Sequence, residues 1–137
     1  MSSIEQRTIG ADAAERCIAA ARARATELGV AVSIAVVDVA GGLKAFLHMD
    51  GAPPLSVAVS QRKAYTAAAL RIPTQALYDT YREEPAMLSL IGALPGVAPL
   101  GGAVPIREGD AVIGAIGASG ATAEEDVEVA TAGAAVA

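Results

Sequence analysis

Apolar residues recur at helical intervals near the start of the chain. Ala14, Ile18, Ala21, Ala25 and Leu28 form one stripe, and Arg16, Arg22, Arg24 and Glu27 lie off it. This spacing predicts an amphipathic helix from about Ala11 to Leu28. Asp12 and Glu15 have capping-box spacing at its start, and Gly29 is suited to end it in the left-handed conformation. Val30 to Val37 then forms an uncharged, Val-rich run, which predicts a strand buried on both faces. Ala40-Gly41-Gly42 reads as a turn, and Leu43 to Met49 as a returning strand. Strict alternation would place Leu43, Ala45, Leu47 and Met49 on one face, with Lys44, Phe46 and His48 on the other.

After Pro53-Pro54 the period becomes helical again from Ser56 to Leu70, with Pro73 as the stop. Thr74 is positioned to cap a short helix to about Tyr81, and Ala86 to Ile91 adds one or two turns. A Pro/Gly-rich loop runs from Gly92 to Gly102. Ala103–Arg107 and Ala111–Ser119 predict a hairpin turning at Glu108-Gly109-Asp110. Thr122 and Glu125 have capping-box spacing for a final helix. The order αββα(α)ββα predicts one domain over residues 1–137, an α/β (α+β) sandwich with helices packed on an antiparallel sheet. Gly114 and Gly117 fall inside the last strand and relieve packing there, so that a helix or a neighbouring subunit can lie close.

Composition narrows the picture. Apolar residues make up 53% of the chain, with one Phe and no Trp, so the core is built from Ala, Val, Leu and Ile. Such a surplus of small apolar residues suggests that other subunits cover part of the surface. A net charge of −5 argues against nucleic acid as a partner. Cys17 is the only cysteine and reads as a buried, inert thiol. The N-terminus lacks a secretory pattern, and Pro95, Pro99 and Pro105 interrupt the uncharged stretch from Ala86 to Ile106. The expectation is a cytoplasmic protein with no membrane partner.

Signatures of nucleotide, zinc and serine-nucleophile chemistry are absent. His48 is the only histidine, followed at once by Asp50 and a turn. It suits an axial haem ligand, a general base, or a strand residue with a local hydrogen bond. Lys63 is one of two lysines and sits on an Ala-rich helix. It suits a carboxylate contact, a base if desolvated, or a solvated face. Thr66 neighbours it, and Arg62 or Arg71 is a candidate second anion contact. Glu124, Glu125 and Asp126 fit the positive end of the last helix dipole without further function. Ser119, Gly120 and Thr122 offer donors at that same helix start. The expected pocket lies between the Gly101-Gly102 entry and the Ser119-Gly120 exit.

The ordered set VVD-x-x-G-G-L, MDGA, K-A-x-T-A, GG-x-x-P-I and G-A-I-G-x-S-G resembles the GlcG/HbpS family of haem-degrading-like domains, found also at the C-terminal end of PduO-type proteins. The resemblance spans roughly Ile9 to Ala135. It implies a profilin-like fold with a five-stranded antiparallel sheet, a homo-oligomer (tetramer or octamer), and a small-molecule ligand. Haem is the one cofactor it implies, with His48 the candidate metal ligand of this chain. Relatives often carry Arg where this chain has His48. Three functions follow as expectations. The first is an oligomeric small-ligand-binding protein that binds or degrades haem or another tetrapyrrole. The second is a cofactor-independent catabolic enzyme of isomerase, tautomerase, hydratase or lyase type, with Lys63 or His48 as catalytic base. The third is a non-catalytic oligomeric accessory protein. Ligand contacts are expected from Asp50, Thr66, Arg71, Gly101, Gly102, Ser119 and Gly120.

Overall fold

A computed structural model describes residues 2–137. Helix α1 spans Ala11–Leu28, strands β1 and β2 span Ser33–Asp38 and Leu43–His48, and α2 spans Ser56–Leu70. Short helices α3 (Thr74–Tyr81) and α4 (Pro85–Gly92) follow, then β3 (Ala103–Glu108), β4 (Ala111–Ser119) and α5 (Ala123–Ala134). The strands form one antiparallel sheet in the order β2-β1-β4-β3.

Alternation along the two central strands divides the core. Ile34 and Val36 of β1, with Ile116 and Ala118 of β4, face the α1/α5 layer. Ala35, Val37 and Ala115 face α2 and meet Ala64, Ala67 and Ala68. The second interface is made almost wholly of alanine, so α2 lies close to the sheet. A Cβ at Gly117 would stand 2.5 Å from the Ser60 carbonyl oxygen and 2.8 Å from the Ala64 nitrogen. The expected helix approach over Gly117 is therefore what the fold uses. β1 is buried on both faces, as its uncharged run predicted.

Several expectations need correction. The sheet has four strands, not five. Ile9 donates one backbone bond to Ile113 O at the end of β4 that β1 leaves free, but Gly10 already caps α1 there, so no strand can form. For the same reason the Asp12/Glu15 capping box is not used: α1 starts at Ala11 with no side-chain cap. β1 starts at Ser33 rather than Val30. Leu43 does not share a face with Ala45, Leu47 and Met49. The pairing passes from Val36↔Ala45 to Val37↔Leu43, and the bulge at Lys44 puts Leu43 beside Val37 on the α2 side. Thr74 does not cap α3 with its side chain. Its hydroxyl accepts from the Ala103 amide instead, tying α3 to the start of β3.

Candidate functional site

The small side chains between α2 and the sheet bring Lys63 to the end of β4, where the two helical layers meet. Its Nζ donates to the Ala118 carbonyl and to Asp126 Oδ2, each at 3.1 Å. Asp126 belongs to α5, on the opposite face of the sheet, so this pair bridges the layers. Both side chains are buried, with 5% and 3% of their surface exposed. The other carboxylate oxygen, Asp126 Oδ1, accepts from the Ala121 amide at 3.1 Å. Burial pushes the Asp126 carboxyl above its ordinary value, against the pull of Lys63 and the Ala121 amide. With two acceptors, one of them a carboxylate, Lys63 acts here as a hydrogen-bond donor.

Gly102 makes room for this arrangement. Its φ of 138° is a glycine conformation, and a Cβ there would lie 2.7 Å from both Lys63 Nζ and the Ala118 carbonyl oxygen. Beside the pair opens a cleft of about 510 Å³ lined by Lys63, Asp126, Gly101, Ser119, Gln75, Tyr78 and a wall of Leu55, Val59 and Leu100. Of the predicted residues, Lys63, Gly101 and Ser119 line it directly, and Gly102 touches its base.

His48 stands at the same end of the sheet. Ser33 of β1 is its cross-strand partner on one side and pairs with Ser119 on the other. Ser33 Oγ lies 2.8 Å from His48 Nδ1 and 2.8 Å from Ser56 Oγ, and Ser56 Oγ donates to the Pro53 carbonyl. The direction of this chain is fixed, because a carbonyl only accepts. Ser56 therefore spends its proton on Pro53, Ser33 donates to Ser56, and His48 Nδ1–H donates to Ser33. The neutral imidazole thus keeps its lone pair on Nε2. His48 itself is exposed.

The family model for haem-degrading HbpS-like proteins matches residues 9–135, nearly the whole chain. The chain belongs to this family. This HbpS-like chain is 35% identical over 120 residues to an uncharacterised 15.0 kDa protein of Citrobacter freundii, covering 87% of this chain and 84% of that one. Its fold matches the crystal structure of Klebsiella pneumoniae protein ORFY with a TM-score of 0.92 and 31% identity, covering 99% and 94% of the two chains. It matches a crystal structure of a PduOC:haem complex with a TM-score of 0.86 and 28% identity, covering 95% of each.

The remaining predicted residues of this HbpS-like chain lie elsewhere. His48 is not part of the lining of the Lys63 cleft. Asp50 is exposed in the turn after β2. Thr66 donates to the Arg62 carbonyl and accepts from the Ala98 amide, so its hydroxyl anchors the loop before β3. Arg62 holds the same loop through the Val97 carbonyl. Arg71 ends α2 in a left-handed conformation, φ 59°, and borders a separate cleft with Arg7 and Arg107. Gly120, φ 131°, lies where a Cβ would press on the Ala31 carbonyl, 2.9 Å away. Asp126 is the partner of Lys63 that the helix-dipole reading passed over. It stands three and four residues before Val129 and Ala130, which are buried, and that places it on the inward stripe of α5. Glu125, by contrast, forms the expected capping box with Thr122.

Proposed function

We propose that this HbpS-like chain binds a haem-class ligand, with His48 Nε2 as the iron ligand. The observation that carries this reading is the fixed hydrogen-bond chain behind His48. A metal-binding imidazole commonly donates its other N–H to an acceptor that sets its tautomer and orientation, and Ser33 does so here. The donor therefore fits a haem iron. The family match and the structural likeness to a PduOC:haem complex support the same ligand class. Haem, when bound, supplies a redox-active iron whose absorption reports its ligation. This chain's part is to hold the imidazole through Ser33 and Ser56 and to present Nε2 at the exposed sheet edge.

The proposal includes a homo-oligomer, tetramer or octamer, as the working unit. α4, with the sequence PAMLSLIG, has no buried residue, and Leu90 and Leu94 are exposed. Apolar surface of this kind favours cover by further copies. Light scattering reads the assembly directly. For the ligand, hemin titrated into the purified protein should give a saturable Soret shift that His48→Ala removes. An unsaturable, nonspecific absorbance change, identical in both proteins, would defeat the assignment. The proton-transfer alternative retains His48 Nε2 as its base, while the ion pair makes Lys63 a donor.

A further inference from the structure

We infer that the Lys63 cleft is a second site, independent of His48, which binds the carboxylate of a small organic acid with an apolar body. The inference starts from a broken strand ladder. The Ala118 amide donates to the Gly102 carbonyl at 2.8 Å, and an antiparallel pair would return the bond from Gly102 N–H to Ala118 O. It does not, because Gly102 is turned out of the ladder and Lys63 Nζ takes the Ala118 carbonyl instead. The Gly102 amide is thereby released, and the Gly101 amide stands next to it. Both residues are buried, and neither amide donates a hydrogen bond among the described residues. A buried N–H without an acceptor is unfavourable, so this corner suits an acceptor that arrives from outside.

The other polar groups at the cleft have the same sense. An ammonium has three N–H donors, and Lys63 spends two on Ala118 and Asp126. The Ser119 hydroxyl lines the cleft and makes no side-chain hydrogen bond among the described residues. Asp126 has both oxygens engaged, by Lys63 and by the Ala121 amide. Glu125 is turned away into its capping box. Gln75 spends its amide N–H on Asp79 and leaves Oε1 as an acceptor beside Gly101, but the donors at the cleft outnumber it, which favours an oxyanion. Because Lys63 and Asp126 are together neutral, the ligand's charge is met by the amides, the hydroxyl and the third ammonium proton, with the start of α5 adding its dipole. Leu55, Val59 and Leu100 form an apolar wall, so the rest of the ligand is apolar.

Benzoate is the probe, with benzamide as its neutral counterpart. In amide-resolved NMR of the intact protein, benzoate should shift the Gly101, Gly102 and Ser119 signals saturably, and benzamide should not. Leu100→Glu adds a carboxylate at an exposed wall position without touching the core, and it should weaken benzoate at least about tenfold, the scale of one charge-assisted hydrogen bond. Leu100→Gln should bind benzoate as the parent does. Equal binding of benzamide, shifts elsewhere in the chain, or no saturation in the millimolar range would each overturn the inference. Hemin binding through His48 is read separately by its Soret band, so either site can fail alone.

Discussion

Removing one member of the Lys63–Asp126 pair should be at least as damaging as replacing both. The two charged atoms are 3.1 Å apart and their side chains 5% and 3% exposed. At an effective dielectric of about 20, that separation is worth about 5 kcal/mol of attraction. Against it stands a desolvation penalty of several kcal/mol for each ion. The sum lies near zero for the intact pair. Lys63→Met deletes the attraction and leaves the Asp126 carboxylate buried with only the Ala121 amide, so it should destabilise by about 3–5 kcal/mol. Asp126→Leu should cost about as much, by stranding the ammonium. The double variant removes both penalties and leaves the Ala118 carbonyl and the Ala121 amide without partners, about 1–3 kcal/mol each at most. It should be no less stable than either single variant. Urea denaturation at one protein concentration, completed as a double-mutant cycle, measures all four corners. Single losses below about 1 kcal/mol would mean a solvated pair. A double loss equal to the sum of the single losses would mean that the two charges do not interact, and would refute the account.

Four further outcomes follow from the geometry. Ser33→Ala removes the acceptor that orients His48 and should weaken hemin about 10–100-fold, the usual effect of losing such a support, as read by Soret titration. Gly117→Ala puts a methyl group 2.5 Å from the Ser60 carbonyl oxygen and should lower stability by about 1–3 kcal/mol, measured by urea denaturation. Thr122→Ala breaks the α5 capping box and should cost about 0.5–2 kcal/mol in the same assay. Burial raises the folded-state pKa of Asp126, so folding takes up a proton there. The stability this group contributes is present below its ordinary carboxylate value and is lost as pH rises through the higher folded value. Asp126→Asn should abolish that fall, which denaturation midpoints compared across the acid range will show.

Much of the fold could be read in the sequence because its signals were local. The stripe of α1, the Val-rich run of β1 and the Thr122/Glu125 box each act within a few residues, and each is found, with β1 starting at Ser33 rather than Val30. Errors arose where distant parts decide. Leu43 changes face because a bulge sits opposite Val36 and Val37, and Thr74 is drawn away from its helix by Ala103. The site divides in the same way. Lys63, Gly101, Gly102 and Ser119 were legible as unusual residues in their own segments. Their partner Asp126 was hidden among Glu124 and Glu125, and only the inward stripe through Val129 and Ala130 sets it apart. His48 and Lys63 look like members of one site in sequence, yet they belong to different surroundings in space.

The sheet's central pairing joins Ser33 on β1 to Ser119 on β4, segments separated by most of the chain. This has a consequence for synthesis. At roughly 5–20 residues per second, β1 leaves the ribosome seconds before the strand that completes its pairing. The hairpin with β2 can form early, but it leaves one long edge of a largely apolar strand without a partner until β4 arrives. Closing so distant a contact is slow relative to local folding. The nascent chain therefore passes through a period when that edge is open to other chains, and the amount recovered in soluble form should depend on expression rate and temperature more than on the stability of the finished fold.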